Sequence, residues 1–434
     1  MSPNQSDSLR GNIPVGIDPD FLILESNCTV ILYEGEIFIK TKNGKSIRGI
    51  GSAYWSCSPT PSIQFTIKTE DIHPFEFLSG SYHVVLCNLG VETDGFSIHQ
   101  SSDDSSVIIK GVVQSELAKR IKGIKRIKFH MINSSKYIGR AILRENKICA
   151  GRLELQEPLW RITIDQAMPE DAFLGNHNLF QITHVGIIEK SNGEEFILSD
   201  ADSVLDKIGL FFSFVEGRYC APIFIVGECD EGAESAFNYR AVSVSPSRSR
   251  SNFYGPNLTG KFLEEIWSGF HLIQNLFGDL LVVLISYLST ANAQADQSQR
   301  MIFSATILEM LFWRIINRED ALQNADNLPL SDKIRLLLMF FGLPREIPKA
   351  FTKLKSMAEN QQKKWIDGPQ AIAEIRNSFT HAKIMKNTLG YDPLAVHQAA
   401  ELALWYAEST LLKFIGMSES DNHRIEINSH LGEL

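Results

Sequence analysis

The sequence predicts a multidomain α+β protein, a β-rich N-terminal half followed by an all-α bundle. Three observations carry this reading. Apolar residues alternate with period two from Cys28 to about Val244, a Ser-, Arg-, Pro- and Gly-rich stretch follows, and beyond it the apolar spacing becomes helical. The chain has 434 residues, more than one hydrophobic core usually fills. The expected division is a β-rich region over 1–242, a linker over 243–257, a helical domain over 258–417 and a polar, frayed tail over 418–434.

In the first half, TVILYE and EIFIKTK precede an Asn43-Gly44 pair and then KSIRGI. Asn-Gly between alternating runs is a hairpin signal, because both residues tolerate the positive φ of a type I′ turn. The same signal recurs at Asn192-Gly193, between FQITHVGIIEK and EEFIL. Further strands are expected at IQFTIK, YHVVLC, SVIIKGVV, KYIGRAIL, WRITI and PIFIVG. One amphipathic helix interrupts them, with Leu205, Ile208, Phe211 and Phe212 on one face and Asp202 as candidate cap. A break near Glu157-Pro158 is a candidate division of this half into two subdomains.

The linker SVSPSRSRSNFYGPN carries no hydrophobic period. After it, Met301, Ala305, Leu308, Phe312 and Ile315 form one helical stripe, and Ile334, Leu337, Leu338 and Phe341 another that ends at Gly342 and Pro344. The last helix is capped by Asp392, has Pro393 at its first position and is followed by Gly416. Phe277 to Leu288 is the most apolar stretch, but Gly278 and Asp279 interrupt it, so it reads as a buried helix with no membrane partner.

Composition narrows the function classes. A formal charge of -9 and a pI near 5.7 mean that any contact with nucleic acid must be local. Six scattered cysteines without a C-x-x-C pair and a polar N-terminus lead to the expectation of a cytoplasmic protein. Gly255 to Lys261 fits G-x4-G-K superficially, but Phe262 stands where the Mg²⁺-binding Ser or Thr is needed, and no buried strand precedes it. There is no H-E-x-x-H, no zinc spacing of cysteines and no G-x-S-x-G elbow, so the sequence implies no metal and no cofactor.

Two segments carry candidate chemistry. In AIAEIRNSFTHAKI, Ala371 to Ile384, the residues Ile372, Ile375, Phe379 and Ala382 make a buried stripe, leaving Arg376, Asn377 and His381 on the other side. An imidazole titrates near neutral pH and suits proton transfer, whereas a guanidinium offers fixed donors to phosphate. Glu309, an acid within the apolar ILEMLFWRII, needs a partner, and Arg376 and Arg314 are the candidates. The second segment is the basic run KRIKGIKRIK, where Lys119, Arg120, Lys122, Lys125, Arg126 and Lys128 are candidate RNA contacts, set against a solvated face as the bland reading.

Arg376-Asn377-Ser378-Phe379-Thr380-His381 on a late helix of a bundle resembles the R-x(4–6)-H signature of the HEPN superfamily, over Thr259 to Gly416. That resemblance implies a homodimer whose two motifs meet in one cleft and a metal-independent endoribonuclease. Arg376 and His381 would be catalytic, with Asn377 orienting one of them. A non-catalytic RNA- or protein-binding scaffold is the alternative it leaves open. The N-terminal half, around LDKIGLFFSFVEGRYCAPIFIVG and FNYRAVSV, resembles ApeA-like proteins, which pair a β-rich region with a HEPN domain in anti-phage defence. On that likeness the β-rich half senses a phage-derived trigger and restrains the nuclease.

Overall fold

The computed structural model describes every residue except 1–12, 22, 24–28, 42–43, 45, 58–59, 71–80, 103–105, 115, 145–146, 168–179, 230–234, 246–252, 255–257, 294–295, 360–364, 381–390 and 425–434. It is a mixed α+β protein with a β-rich N-terminal half and helices in the C-terminal half. Two compact units divide it: residues 1–209 with 220–248, and residues 210–219 with 249–434.

The β unit begins with six strands: β1 (Val30–Thr41), β2 (Ser46–Ser56), β3 (Ser62–Thr69), β4 (Ser81–Leu86), β5 (Val91–Ser102) and β6 (Val107–Val113). They close into a barrel in the order β1-β2-β3-β6-β5-β4, with β4 antiparallel to β1. Closure removes the free edges an open sheet would expose. Alternation along β3 buries Ile63, Phe65 and Ile67 on the inner face. Phe65 fits because β6 offers glycine beside it: a Cβ on Gly111 would lie 2.3 Å from the ring.

Eight further strands form one sheet: β7 (Glu116–Lys119), β8 (Arg126–Ile132), β9 (Arg140–Arg144), β10 (Lys147–Gln156), β11 (Trp160–Gln166), β12 (Ile182–Lys190), β13 (Pro222–Glu228) and β14 (Ala236–Arg240). Their order is β7-β14-β13-β8-β12-β11-β10-β9. Glu157-Pro158 is therefore no division. It lies in the tight turn of the β10–β11 hairpin, where Glu157 and Trp160 exchange backbone hydrogen bonds of 2.9 and 3.3 Å. The change of architecture falls instead between β6 and β7.

The hairpin expected at Asn192-Gly193 also does not form. Gly193 does turn the chain at φ +75°, but Phe196 then bridges Ile124 and packs edge-on against Trp160, and Leu198–Ala201 wind into a 3-10 turn. Helix α1 (Asp202–Glu216) follows directly, so Asp202 is not its cap; its carboxylate instead accepts from Arg240 at 2.8 Å.

The segment before β1 is tied to this sheet. Val15 forms a parallel bridge with Leu143, the Ile17 N–H donates to Asp165 at 2.9 Å, and Asp20 pairs with Lys128 at 2.7 Å. The Asp20 N–H also donates to His130 Nε2 at 3.1 Å, so Nδ1 carries the proton and faces the Phe224 carbonyl at 3.3 Å. Burial holds His130 well below the ordinary histidine range, at about 4, and it is neutral at pH 7.

In the helical unit, α2 (Gly260–Phe277) and α3 (Leu281–Ala293) are separated by a 3-10 turn at Gly278, φ +53°. The stretch 260–293 is long and apolar enough, by length and composition, to cross a membrane. Only one face of α3 is covered: Leu281, Leu284, Ile285 and Leu288 are buried, whereas Val282 and Val283 are exposed. Then come α4 (Gln297–Leu311), which runs into a π-helical turn over Phe312–Ile316, α5 (Leu330–Phe341), α6 (Thr352–Glu359), α7 (Gly368–Thr380) and α8 (Pro393–Phe414). Gly342 ends α5 in the left-handed region, and Asp392 caps α8 by accepting the Leu394 N–H at 2.8 Å.

Two expectations for this unit are corrected. Within the predicted linker, Phe253 and Tyr254 are buried, and Phe253 packs on Phe214 at 5.4 Å. The predicted frayed tail is structured over its described residues, 418–424. Ser418 starts a 3-10 turn, and the Arg424 guanidinium reaches Glu408, Glu401 and Asn292 in the interior. Arg300 pairs with the same Glu401, so two arginines and two glutamates neutralise one another in the buried interior.

Candidate functional site

Helix α7 is fixed at its start. The Asp367 carboxylate accepts the Gln370 N–H at 3.0 Å, the geometry of an N-cap, and also clamps Arg335 of α5 through two hydrogen bonds of 2.7 and 2.9 Å. That hydrogen bonding holds the Arg335 guanidinium above its usual range. Gly368 lets α8 approach closely there, since a Cβ would lie 2.8 Å from a Leu402 methyl and from the Tyr406 hydroxyl and one of them would have to shift. One turn further, Ile372 and Ile375 are buried while Arg376 and Asn377 are half-buried.

Arg376, Asn377 and Glu309 line one groove of about 510 Å³, together with Lys333 and Arg335. Three helices thus supply the predicted residues: α7 gives Arg376 and Asn377, α4 gives Glu309, and α5 gives the two cations. Arg376 Nη1 donates to Asn377 Oδ1 at 3.3 Å. Its Nε is buried with no hydrogen-bond partner, and the guanidinium makes no ion pair among the described residues. His381 lies outside the described residues.

Glu309 has a partner that differs from both predicted ones. Lys333 donates to its Oε1 at 2.7 Å and lies 4.9 Å from the Trp313 ring centroid, with only 7% of the lysine side chain exposed. The signal was present, since Leu330, Lys333, Ile334 and Leu337 share helical spacing and Lys333 occupies a core position of α5. Charge in the groove is balanced: Glu309, Asp332 and Glu374 face Lys333, Arg335 and Arg376. Glu374 itself accepts from Trp365 Nε1 at 2.8 Å and Gln370 at 3.0 Å.

The basic run does not form one patch. Lys119 ends β7 and Arg126 opens β8, strands with two others between them and so roughly 14 Å apart. Arg120 pairs with Glu116 at 3.2 Å, Arg126 with Glu228, and Lys128 with Asp20 and Glu228 at 2.7 and 3.3 Å. Lys122 and Lys125 are exposed in the connection. Glu116 of β7, Glu228 of β13 and Asp20 of the segment before β1 thus pair with Arg120, Arg126 and Lys128, three of the predicted RNA contacts.

The site on these helices is a groove holding a half-buried arginine without a carboxylate partner among the described residues. Two family models match the chain: the YopA central domain over residues 120–250 and the YopA C-terminal domain over residues 275–434. The chain is similar to the SPbeta prophage-derived uncharacterized protein YopA of Bacillus subtilis (strain 168), 22% identical over 348 residues that cover 74% of this chain and 77% of the relative. The groove lies wholly within the second match; the barrel precedes both. No solved structure matches the chain.

Proposed function

We propose that the helical unit is a metal-independent endoribonuclease domain of the HEPN kind. The observation that supports this best is Arg376, a cation beside an open groove whose charge no acid meets among the described residues. An anionic ligand from outside, such as a backbone phosphate, would supply that partner. In the proposed reaction a ribose 2′-hydroxyl attacks the adjacent phosphorus, His381 carries the proton, and Arg376 stabilises the charge that develops on the phosphoryl oxygens. Asn377, bonded to Arg376 Nη1, positions the guanidinium. The products are a 2′,3′-cyclic phosphate and a 5′-hydroxyl, and DNA, lacking the nucleophile, is not cut.

We place the action in phage–host conflict, with two chains joining through the helical unit in the cytoplasm and the β unit restraining them until a phage-derived trigger binds. The prophage origin in the relative's name is in keeping with that setting. The balanced charge of the groove favours a second reading, a binding scaffold in which Arg376 holds an RNA or protein partner without cutting it.

The test compares wild type with His381→Ala and Arg376→Ala on total RNA in EDTA, reading the 3′ ends. Cyclic-phosphate ends made by wild type and lost in both variants establish the nuclease. Cleavage that persists in both removes these residues from catalysis. RNA binding without cleavage by any of the three proteins selects the scaffold.

A further inference from the structure

The charges lining the Arg376 groove fall into two sets. Lys333 holds Glu309, and Arg335 is held by Asp332 and Asp367, so these are matched inside the protein. Glu374 and Arg376 are not: among the described residues their side chains bond to neutral groups, Glu374 to Trp365 and Gln370 and Arg376 to Asn377. Helix geometry keeps the two from meeting. Residues two positions apart lie about 160° from each other at 3.6 residues per turn, so Glu374 and Arg376 stand on opposite rims of α7. Ala373 lies between them on the helix, buried, and its small side chain leaves the floor of the groove low.

The Glu374 carboxylate is aimed before anything binds. Trp365 Nε1 donates to its Oε2 at 2.8 Å and Gln370 Nε2 to its Oε1 at 3.0 Å, while Gln370 Oε1 is itself fixed by the Ile366 N–H at 3.0 Å. Trp365 is buried, so the carboxylate is anchored to the interior. Each carboxylate oxygen has two lone pairs and has used one on these donors, which leaves the two oxygens able to accept two more hydrogens side by side. Ile366, 84% exposed, sets an apolar side chain beside them in the groove.

A ligand that satisfies both rims carries an anionic group at one end and two adjacent donors at the other. An inorganic anion has no donors for Glu374, and a simple cation leaves Arg376 unmatched. A nucleotide reaches from phosphate to base edge, and among the RNA bases guanine presents two neighbouring donors, N1–H and the N2 amine. Adenine and cytosine set a ring-nitrogen acceptor beside their amine, and uracil sets its one N–H between two carbonyls, so each would turn an acceptor towards the carboxylate.

We propose that Glu374 is the specificity-determining residue of this groove, accepting the N1–H and N2 amine of a guanine in single-stranded RNA whose phosphate lies against Arg376. The base packs on Ile366. This rests on the reading of the groove as an RNA site and names the base that the site takes.

The experiment is fluorescence anisotropy of the full chain with labelled deoxythymidine pentamers whose central base is guanine, adenine, cytosine, thymine or hypoxanthine. DNA lacks the 2′-hydroxyl and is not cut, so binding is read apart from cleavage. Wild type is expected to bind the guanine strand at least about tenfold more tightly than the thymine strand, with hypoxanthine between them because it keeps N1–H and lacks the amine. Glu374→Gln retains an acceptor for Trp365, and thermal unfolding checks that it folds; its amide turns a donor towards the guanine donors, so the preference should vanish. Arg376→Ala should weaken every strand by a similar factor and leave the preference in place.

Equal affinity for the guanine and thymine strands overturns the proposal, as does a preference that survives in folded Glu374→Gln, or binding of no strand at all. Tighter, Glu374-dependent binding of a tetra-arginine peptide assigns the rim to a protein partner and overturns it too. The nuclease reading fails separately: a guanine preference lost in Glu374→Gln supports the assignment even where total RNA yields no cyclic-phosphate ends, and cyclic ends without a base preference discard the assignment and keep the nuclease.

Discussion

Arg152 donates from Nε and Nη2 to the two carboxylate oxygens of Asp165, at 2.8 and 2.7 Å, and Asp165 is wholly buried. The same carboxylate accepts the Ile17 N–H, and Arg152 also donates to the Val15 carbonyl at 2.9 Å. One ion pair therefore both joins β10 to β11 and holds the segment before β1. Replacing Asp165 by Ala strands a largely covered guanidinium and a backbone donor, and we expect a loss of about 3 kcal/mol in unfolding free energy. Proteolysis within residues 14–20 should accelerate in that variant; a variant as resistant as wild type would show that the segment is held by other contacts.

His130 sets a pH dependence. Its folded-state value, about 4, lies below the unfolded histidine value of 6.5, so the unfolded chain binds the proton more tightly. The corresponding stability is fully present above the unfolded value and is lost as the pH falls towards 4. Between pH 7 and pH 5 this one group should remove about 2 kcal/mol from the β unit. Urea unfolding at the two pH values measures it, and His130→Gln should flatten the difference.

Much of the β half was legible because alternation depends only on neighbours: IQFTIK names the inner face of β3 without further information. Barrel closure was not legible, because the β1–β4 pairing of Ile37 with Leu86 joins residues far apart in sequence. Glu157-Pro158 looked like a break because proline punctuates turns and domain borders alike. Helical spacing placed Arg376 and Asn377 on one face, and Glu309 was recognised as an acid in need of a partner. Its choice of Lys333 depended on how α4 meets α5, and no periodicity carries that. Arg424 was hidden for a related reason, since a charge in a polar tail reads as exposed until its partners are known.

Those partners make Arg424 a stability determinant. Arg424→Ala leaves Glu408 buried without its bidentate donor at 2.8 and 2.6 Å, and we expect about 3 to 5 kcal/mol of destabilisation of the helical unit. Arg424→Met combined with Glu408→Met should lose much less than the two single changes added together, because no unpaired charge remains. Thermal unfolding of the four proteins supplies the cycle, and additive losses would contradict it.

Arg376 should behave in the opposite way. Among the described residues its guanidinium bonds to the adjacent Asn377, so Arg376→Lys should change the unfolding free energy by less than about 1 kcal/mol. On the nuclease proposal the same change should lower RNA cleavage at least about tenfold, because an ammonium lacks the planar fork. A variant that loses stability and activity together would mark Arg376 as structural.

The buried arginine–glutamate group also imposes an order in time. A chain is made from its N-terminus, so Arg300, Glu401 and Glu408 leave the ribosome before Arg424 does. In that interval one guanidinium faces two carboxylates bound for the same dry interior. The helices can form, yet the charge balance of that interior is complete only once Arg424 has followed Glu401 and Glu408 out, so the native packing of the bundle closes late.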